Sequence, residues 1–201
     1  MITKEELRRR IQNACAAVIS AEAELTEIDS RFGDADHGFT MSKIANTIRD
    51  SLEDGDSIQE MLDNAACAVM GLNGGSAVPL WNTWLDGLQE HSVAADSMTV
   101  EQVKEMFQRA YEELFDMSTA KVGDKTMMDA LIPATEAIQA WEGDMDGLFT
   151  AAAKAAEAGA ENSKNFGSRF GRAKSYGKQT IGTPDAGAVS MKYFFVGLAL
   201  K

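Results

Sequence analysis

The side chains best suited to chemistry in this sequence are three carboxylates that fall within eight residues. Asp29, Asp34 and Asp36 lie in the stretch Ile28–Met41, between two apolar patterns of helical spacing. Three like charges this close are costly unless a cation neutralises them, and oxygen atoms are the ligands that Mg²⁺ prefers. The spacing therefore predicts a divalent metal site. A solvated acidic turn with Asp36 as a helix N-cap fits the same composition.

The residues that follow this acidic loop are expected to open a helix whose first N–H groups point back at the loop. Unpaired N–H groups at a helix start attract phosphate. A cation and an anion could therefore meet here, as they do in a Mg²⁺–nucleotide. An EF-hand is excluded, because its loop needs Gly at position 6 and Glu at position 12. Counted from Asp34, these positions hold Phe39 and Ala45.

The longest break between helical patterns, Gly167–Pro184, is the one clearly basic segment of an acidic chain. It contains no acid and four cations, namely Arg169, Arg172, Lys174 and Lys178. A phosphate clamp that balances the acidic loop is the functional interpretation, and a solvated basic loop is the alternative. A Walker A motif is absent, because Gln179 follows Lys178 where Ser or Thr is required.

Composition restricts the class of protein. A chain of 201 residues predicts one domain, 1–201, with a full-sized core. The formal charge of −12 argues against a nucleic-acid binder. The absence of a long apolar run and of a signal-peptide pattern predicts no membrane span and a cytoplasmic location. Cys15 and Cys67 are each expected to be buried thiols in a reducing compartment.

Apolar residues at steps of three and four predict an all-α chain of eight helices. The first is expected over Lys4–Leu25 and the seventh over Met145–Phe166. Ser57, Thr99 and Asp185 are the predicted N-caps of the third, fifth and eighth helices. Pro133 is predicted to kink the sixth.

Eight helices joined by short breaks predict an antiparallel up-and-down barrel or bundle. Because helix direction alternates, the odd-numbered breaks lie at one end. These are the acidic loop, the glycine-rich break Gly71–Pro79, the Phe115–Asp124 connection and the basic segment. A site is therefore expected at this rim. For the glycine-rich break alone, an ordinary helix–helix turn is the alternative.

Five short motifs occur in order along the chain. They are Asp29-x4-Asp34-Ala35-Asp36-His37-Gly38, Gly74-Gly75-Ser76, Gly123-Asp124-Lys125-Thr126-Met127, Gly171-Arg172-Ala173 and Pro184-Asp185-Ala186-Gly187-Ala188. Together they resemble the nucleotide-binding L subunits of dihydroxyacetone kinase, over essentially the whole chain. The acidic and the Gly-Asp-Lys-Thr-Met motifs are specific, whereas each glycine turn alone is a weak signal. One departure is that Val78 stands where these subunits usually have Gly, with Ser76 and Ala77 exchanged in order.

The resemblance implies an eight-helix barrel with a nucleotide, ADP or ATP, at one rim. It implies that Asp29, Asp34 and Asp36 bind two Mg²⁺ ions that bridge the nucleotide phosphates, and that Arg172 is the catalytic phosphate contact. The implied nucleotide-binding residues are His37, Gly38, Phe39, Thr40, Ser76, Ala77, Ser118, Met127, Arg172, Asp185, Ala186 and Gly187.

The resemblance also implies a phosphotransferase that passes a phosphoryl group to dihydroxyacetone or a related short ketose. The sugar would be held by a separate K subunit, and a phosphotransferase-system M subunit would recharge the bound ADP. Three alternatives stay open: an ATP-dependent subunit for another ketose, a non-catalytic nucleotide-sensing module that binds a transcription regulator, and the nucleotide domain of a fatty-acid kinase. The oligomeric state is open, with a homodimer among the options.

Overall fold

A computed structural model describes residues 1–53 and 55–201. Over these residues helices dominate and only two two-residue strands occur, so the predicted all-α class is confirmed. The α-helices are α1 (Lys4–Ser20), α2 (Glu22–Ser30), α3 (His37–Ser51), α4 (Ile58–Met70), α5 (Ala77–Glu90), α6 (Val100–Ser118), α7 (Met128–Ala140), α8 (Met145–Asn162) and α9 (Ala186–Leu198). The turn expected at Asp54-Gly55-Asp56 includes Asp54, which lies outside the described residues.

The prediction of eight helices is wrong by one, because the first predicted helix is broken at Ala21. There the backbone turns to φ −90° and ψ 1°, and the N–H of Ala21 donates to the carbonyl of Val18. The apolar spacing continues through this bend to the buried Leu25, so periodicity alone cannot reveal it. The bend gives α2 its own direction and carries the chain on to Ser30, which places Asp29 in its last turn.

The helices form a closed ring of contacts. Consecutive helices pack against each other, and α9 packs against both α8 and α1. Gly197 makes the last closure tight, since a Cβ there would lie 2.3 Å from Cα of Ala14 on α1. Two short strands, β1 (Ile2–Thr3) and β2 (Ser97–Met98), pair antiparallel and tie down the N-terminus.

The interior is packed with aliphatic side chains and with a cluster of aromatic rings. The rings of Trp81 and Trp84 meet edge-on at 5.5 Å, and Trp84 contacts Phe194 at 5.4 Å. Edge-to-face pairs of this kind add to the free energy gained by burying each ring. The body of the bundle is therefore a packed support, and the loops at its end are left to form a site.

Local capping chemistry sets the helix starts. Ser57 accepts a hydrogen bond from the N–H of Glu60, Thr99 forms a full capping box with Gln102, and Asp185 caps α9. These three predicted N-caps are confirmed. The Glu60 carboxylate, however, accepts from the N–H of Asp56 instead of closing a capping box on Ser57. The seventh predicted helix corresponds to α8. It was predicted to reach Phe166 but ends at Asn162, and a 3₁₀ turn follows over Ser163–Asn165.

The two cysteines differ in exposure. Cys15 is buried, as predicted, and burial raises the pKa of its thiol to about 12. The prediction for Cys67 is wrong, because this thiol is exposed and lies near the carboxylate of Asp63. The buried face of α4 includes Ala65 and Val69, and a residue two positions from each points away from that face. Within residues 1–53 and 55–201, no helix has the length and apolar character needed to cross a bilayer.

Candidate functional site at the loop end of the bundle

A cavity of about 690 Å³ opens at one end of the bundle. All four odd-numbered breaks of the sequence contribute residues to its lining. Its volume falls in the range of about 300–1,000 Å³ that is typical of small-molecule sites. The sequence-predicted residues that line it are Asp29, Asp34, Asp36, His37, Thr40, Ser76, Ala77, Ser118, Met127, Arg172, Asp185, Ala186 and Gly187.

Two of the predicted nucleotide-binding residues, Gly38 and Phe39, do not line the cavity. Gly38 is buried against α2, where an added Cβ would lie 2.1 Å from the carbonyl oxygen of Glu22 and 2.2 Å from Oγ1 of Thr26. Its small size therefore lets α3 approach α2. The ring of Phe39 is 66% exposed on the outer surface. Neither residue lines the cavity.

The three carboxylates form a compact cluster. One oxygen of each of Asp29, Asp34 and Asp36 lies within 4.8 Å of one oxygen of the others. Asp29 comes from the last turn of α2, and its Oδ2 accepts a hydrogen bond from the N–H of Asp36 at 3.2 Å. Gly33 is required beside it, since a Cβ there would lie 2.1 Å from Oδ1 of Asp29. The loop is thus folded tightly around the Asp29 carboxylate.

Asp36 occupies the N-cap position of α3, but its side chain makes no capping hydrogen bond. The capping part of the solvated-turn interpretation is therefore wrong. Burial raises the pKa of the Asp36 carboxyl, and the neighbouring charges of Asp34 and Asp29 raise it further. A divalent cation would remove this repulsion. The donor set, all carboxylate oxygens, fits Mg²⁺.

The basic segment crosses the cavity mouth and contacts the acidic loop in two places. Nη2 of Arg172 lies 2.7 Å from Oδ2 of Asp34. The rings of Tyr176 and Phe32 pack with their centroids 5.3 Å apart. The segment is held on another side by Arg169, whose guanidinium lies 3.1 Å from Oδ1 of Asp124. The two oppositely charged stretches of the sequence are therefore neighbours in space.

The loop before α7 is shaped by the buried carboxylate of Asp129. Its oxygens accept hydrogen bonds from the N–H groups of Gly123 at 2.6 Å and Thr126 at 2.7 Å. Burial raises the pKa of the Asp129 carboxyl, while these hydrogen bonds oppose the shift. The loop delivers Met127, which is 6% exposed, to the cavity wall.

His37 and Asp185 line the cavity and contact residues of α9. Nε2 of His37 lies 3.3 Å from Oγ of Ser190, and burial lowers the pKa of the imidazole, opposed by the charge of Asp29. Asp185 accepts from the N–H of Ala188 at 2.8 Å. Burial raises the pKa of the Asp185 carboxyl to about 7. His37 is thus held against α9 by its ring.

The unusual Val78 is accommodated by the glycine four residues before it. Val78 is buried in the first turn of α5, and a Cβ on Gly74 would lie 2.6 Å from its Cγ2. The bulk added at one position of the loop is therefore matched by an open position at another. Ser76 and Ala77, between them, line the cavity.

Several cavity residues were not singled out as site residues by the sequence. They are Ile28, Phe32, Gly75, Leu80, Trp81, Lys125, Thr126, Ser168, Phe170, Gly171, Ala173, Thr180, Thr183 and Pro184. Lys125 and Thr126 belong to the specific Gly-Asp-Lys-Thr-Met motif, which was the one available signal for them. The apolar members on helices, Ile28, Leu80 and Trp81, belong to apolar helical patterns and cannot be told from core residues by sequence.

Comparison with known proteins places the sequence among kinases. Residues 31–200 match the family described as the DAK2 domain. The chain is 32% identical over 193 residues to the PEP-dependent dihydroxyacetone kinase, ADP-binding subunit DhaL, of Escherichia coli (strain K12), which covers 92% of this chain and 91% of that protein. It is 31% identical over 182 residues to D-erythrulose kinase of Mycolicibacterium smegmatis, covering 87% of this chain and 31% of that protein.

The human triokinase/FMN cyclase is 29% identical over 186 residues, covering 90% of this chain and 32% of that enzyme. The chain thus spans about a third of the longer relatives. Among solved structures, the dihydroxyacetone kinase of C. freundii in complex with AMP-PNP and Mg²⁺ gives a TM-score of 0.71 at 22% identity, covering 96% of this chain and 33% of that one. This likeness shows a shared fold.

Proposed function

Because the chain belongs to the DAK2 domain family, we propose that it is the nucleotide- and Mg²⁺-binding subunit of a ketose kinase. The relative that it matches along nearly its full length is named as an ADP-binding subunit. The observation that carries the proposal is the meeting of Asp29, Asp34, Asp36 and Arg172 at the mouth of one cavity. Carboxylates for a metal and a guanidinium for a phosphate are the parts that phosphoryl transfer requires.

The acidic cluster would hold Mg²⁺. Asp29, Asp34 and Asp36 offer six oxygens from two structural elements, enough to share between two ions that keep part of their water. When bound, Mg²⁺ neutralises the charge on phosphate oxygens and draws them into line for transfer. The chain's own contribution is to fix the three carboxylates, through Gly33 and the hydrogen bond to Asp29.

When Mg²⁺–nucleotide enters, the guanidinium of Arg172 would leave its ion pair with Asp34 and bind a phosphate instead. A guanidinium that is 70% exposed loses little on leaving a surface ion pair. Two parallel N–H donors suit it to phosphate oxygens. The start of α5, at Ser76 and Ala77, and the start of α9, at Ala186, would supply N–H groups to the same anion.

The nucleoside would lie deeper, against the apolar part of the lining. Met127 and Leu80 offer apolar contacts, and Ser118 offers a hydroxyl that can donate or accept. A thioether side chain adapts its shape to an aromatic base. The cavity therefore has a charged mouth and a mixed wall, as an amphiphilic nucleotide requires.

The chain would work with partners. Among the described residues that line the cavity, His37 is the one imidazole, and its ring is held against Ser190 rather than free to take a proton from a sugar hydroxyl. We assign sugar binding to a separate K subunit and rephosphorylation of ADP to a phosphotransferase-system M subunit. The name of the E. coli relative, a PEP-dependent subunit that spans about the same length, supports this arrangement. Dihydroxyacetone and erythrulose, named in the relatives, are the first sugars to test.

The first experiment is to denature the purified protein and identify any released nucleotide by mass spectrometry. The second adds a sugar-binding subunit with either a PEP-driven phosphorelay or free ATP, and follows sugar phosphate. Released ADP together with PEP-driven transfer supports the cofactor role. Turnover with ATP alone assigns the chain to the ATP-dependent kinases. Nucleotide binding without transfer to any ketose would leave a nucleotide-sensing module, and no nucleotide binding at all would refute the proposal.

A further inference from the structure

Lys125 carries a buried charge that the proposed chemistry does not use. Its side chain lines the cavity, yet the residue is only 5% exposed. Its backbone is left-handed, with φ 62°, a conformation that residues other than glycine rarely adopt. A buried ammonium and an unusual backbone are both costly, so the surroundings must compensate for them. Such a combination points to a specific task for this side chain.

The hydrogen-bond partners of Lys125 are carbonyl oxygens. Nζ donates to the carbonyl of Ser163 at 2.8 Å and to the carbonyl of Thr183. Within residues 1–53 and 55–201 it has no carboxylate at ion-pair distance; the acids whose charges act on it, by raising its pKa against the effect of burial, are Asp185 and Asp129. The ammonium is therefore placed to hold backbone rather than to neutralise an acid.

The two carbonyls lie at opposite ends of the loop that carries the basic segment. Ser163 directly follows α8, and Thr183 precedes the cap of α9. Two more hydrogen bonds join the ends of this loop. The N–H of Gly182 donates to the carbonyl of Lys164 at 2.7 Å, and the N–H of Asp185 donates to Oγ of Ser163 at 2.9 Å. We call these joined ends, residues 163–164 and 182–183, the neck of the loop. Lys125 reaches both sides of the neck from a different loop.

Further contacts connect the neck with the part of the loop that carries Arg172. Inside the loop, the N–H of Ser168 donates to Oγ1 of Thr180 and so links the two sides of the loop. Beside Lys125, Asp124 binds Arg169 through both side chain and backbone. The loop that holds Lys125 and Asp124 is therefore the platform on which the basic segment rests.

We propose that Lys125 is a positioning residue that closes the neck of the basic loop and so aims Arg172 at the cavity mouth. This inference rests on the proposed function only where nucleotide binding is measured. Lys125 has three donors and two carbonyl acceptors, so one donor could reach a ligand directly. The experiment must therefore separate positioning from direct contact.

The test compares Lys125→Met with Lys121→Met, an exposed lysine on the same loop. In the nucleotide-free protein, hydrogen exchange should rise about tenfold or more across residues 163–183 in Lys125→Met and stay unchanged elsewhere. Lys121→Met should behave as the wild type. This measurement needs no nucleotide, so it stands even if the proposed function fails. An unchanged pattern, or a uniform rise along the whole chain, would overturn the neck assignment.

The second arm measures Mg²⁺–ADP affinity in a double-mutant cycle with Arg172→Ala. Lys125→Met alone should weaken binding roughly tenfold, the size of one lost charge-assisted contact. In the Arg172→Ala background the same change should weaken binding less than about twofold, because there is no guanidinium left to position. If the two substitutions weaken Mg²⁺–ADP binding independently, so that their fold-changes multiply in the double variant, then Lys125 acts on the nucleotide directly and the positioning role is overturned.

Discussion

Arg172 and Asp34 form an ion pair, with Nη2 and Oδ2 separated by 2.7 Å, that joins the basic segment to the acidic loop. The guanidinium is 70% exposed, so the pair contributes at most about 1 kcal/mol to stability. Its importance is geometric, because it places a phosphate-binding group next to the carboxylates proposed as metal ligands. Both residues would change partner when Mg²⁺–nucleotide binds.

The first prediction concerns the metal. Asp34→Asn removes one charged ligand from the cluster, so Mg²⁺-dependent retention of ADP should be lost while the helical circular dichroism is kept. Asp63→Asn, an exposed acid on α4, is the control and should retain ADP normally. Calorimetry that gives the same Mg²⁺–ADP affinity for Asp34→Asn and the wild type would rule out the metal site.

The second prediction concerns Arg172. Arg172→Ala removes a charge-assisted contact of about 1.5–3 kcal/mol, so ADP affinity should fall roughly tenfold to a hundredfold. Phosphoryl transfer from the recharged state should slow as well. Lys174→Ala, an exposed cation of the same segment that has no ion pair among residues 1–53 and 55–201, should have little effect. If Arg172→Ala and Lys174→Ala bind ADP with the same affinity, then Arg172 makes no specific contact with the nucleotide.

The third prediction concerns the match between Gly74 and Val78. Gly74→Ala would place a Cβ 2.6 Å from Cγ2 of Val78, and the β-branched side chain has few ways to move aside. Thermal unfolding should show a loss of about 1–3 kcal/mol, as for other overpacked positions. Adding Val78→Ala should restore part of that loss.

Gly71→Ala is the matched control for this loop, because the nearest atom to its added Cβ is 3.5 Å away. It should leave the melting temperature nearly unchanged. If Gly74→Ala is as harmless as Gly71→Ala, then the loop is free to shift and Val78 needs no accommodation.

The fourth prediction concerns pH. Burial raises the pKa of the Asp185 carboxyl from 3.8 to about 7, in surroundings that include Asp129 and Lys125. The folded state therefore holds this proton more tightly than the unfolded state. The contribution to stability is full below about pH 4 and is lost as pH rises through 7.

Asp185→Asn keeps an acceptor for the N–H of Ala188 but removes the titration. The free energy of unfolding, measured in urea at several pH values, should then fall less between pH 4 and 7 than in the wild type. Asp144→Asn, an exposed N-cap on α8, is the control and should leave that slope intact. An unchanged slope in Asp185→Asn would mean that Asp185 does not titrate in this range.

Much of the fold could be predicted from the sequence because its determinants are local. Helical spacing of apolar residues, and caps such as Thr99 and Asp185, act within one turn and can be identified without a partner. The bend at Ala21 could not be predicted in this way, because no Gly or Pro marks it and the apolar spacing continues through it. The exposure of Cys67 was open to prediction, since the residue lies two positions from both Ala65 and Val69 on the buried face of α4.

The sequence by itself determined the all-α class, the acidic loop that brings Asp29, Asp34 and Asp36 together, and the separate basic segment. Only the tertiary structure decided that Arg172 lies beside Asp34, that Tyr176 packs on Phe32, and that Lys125 holds both ends of the loop between α8 and α9. The physical reason is the range of the interactions. Charge density and periodicity are properties of neighbouring residues, whereas these contacts join residues far apart along the chain, and they exist only once the helices have packed.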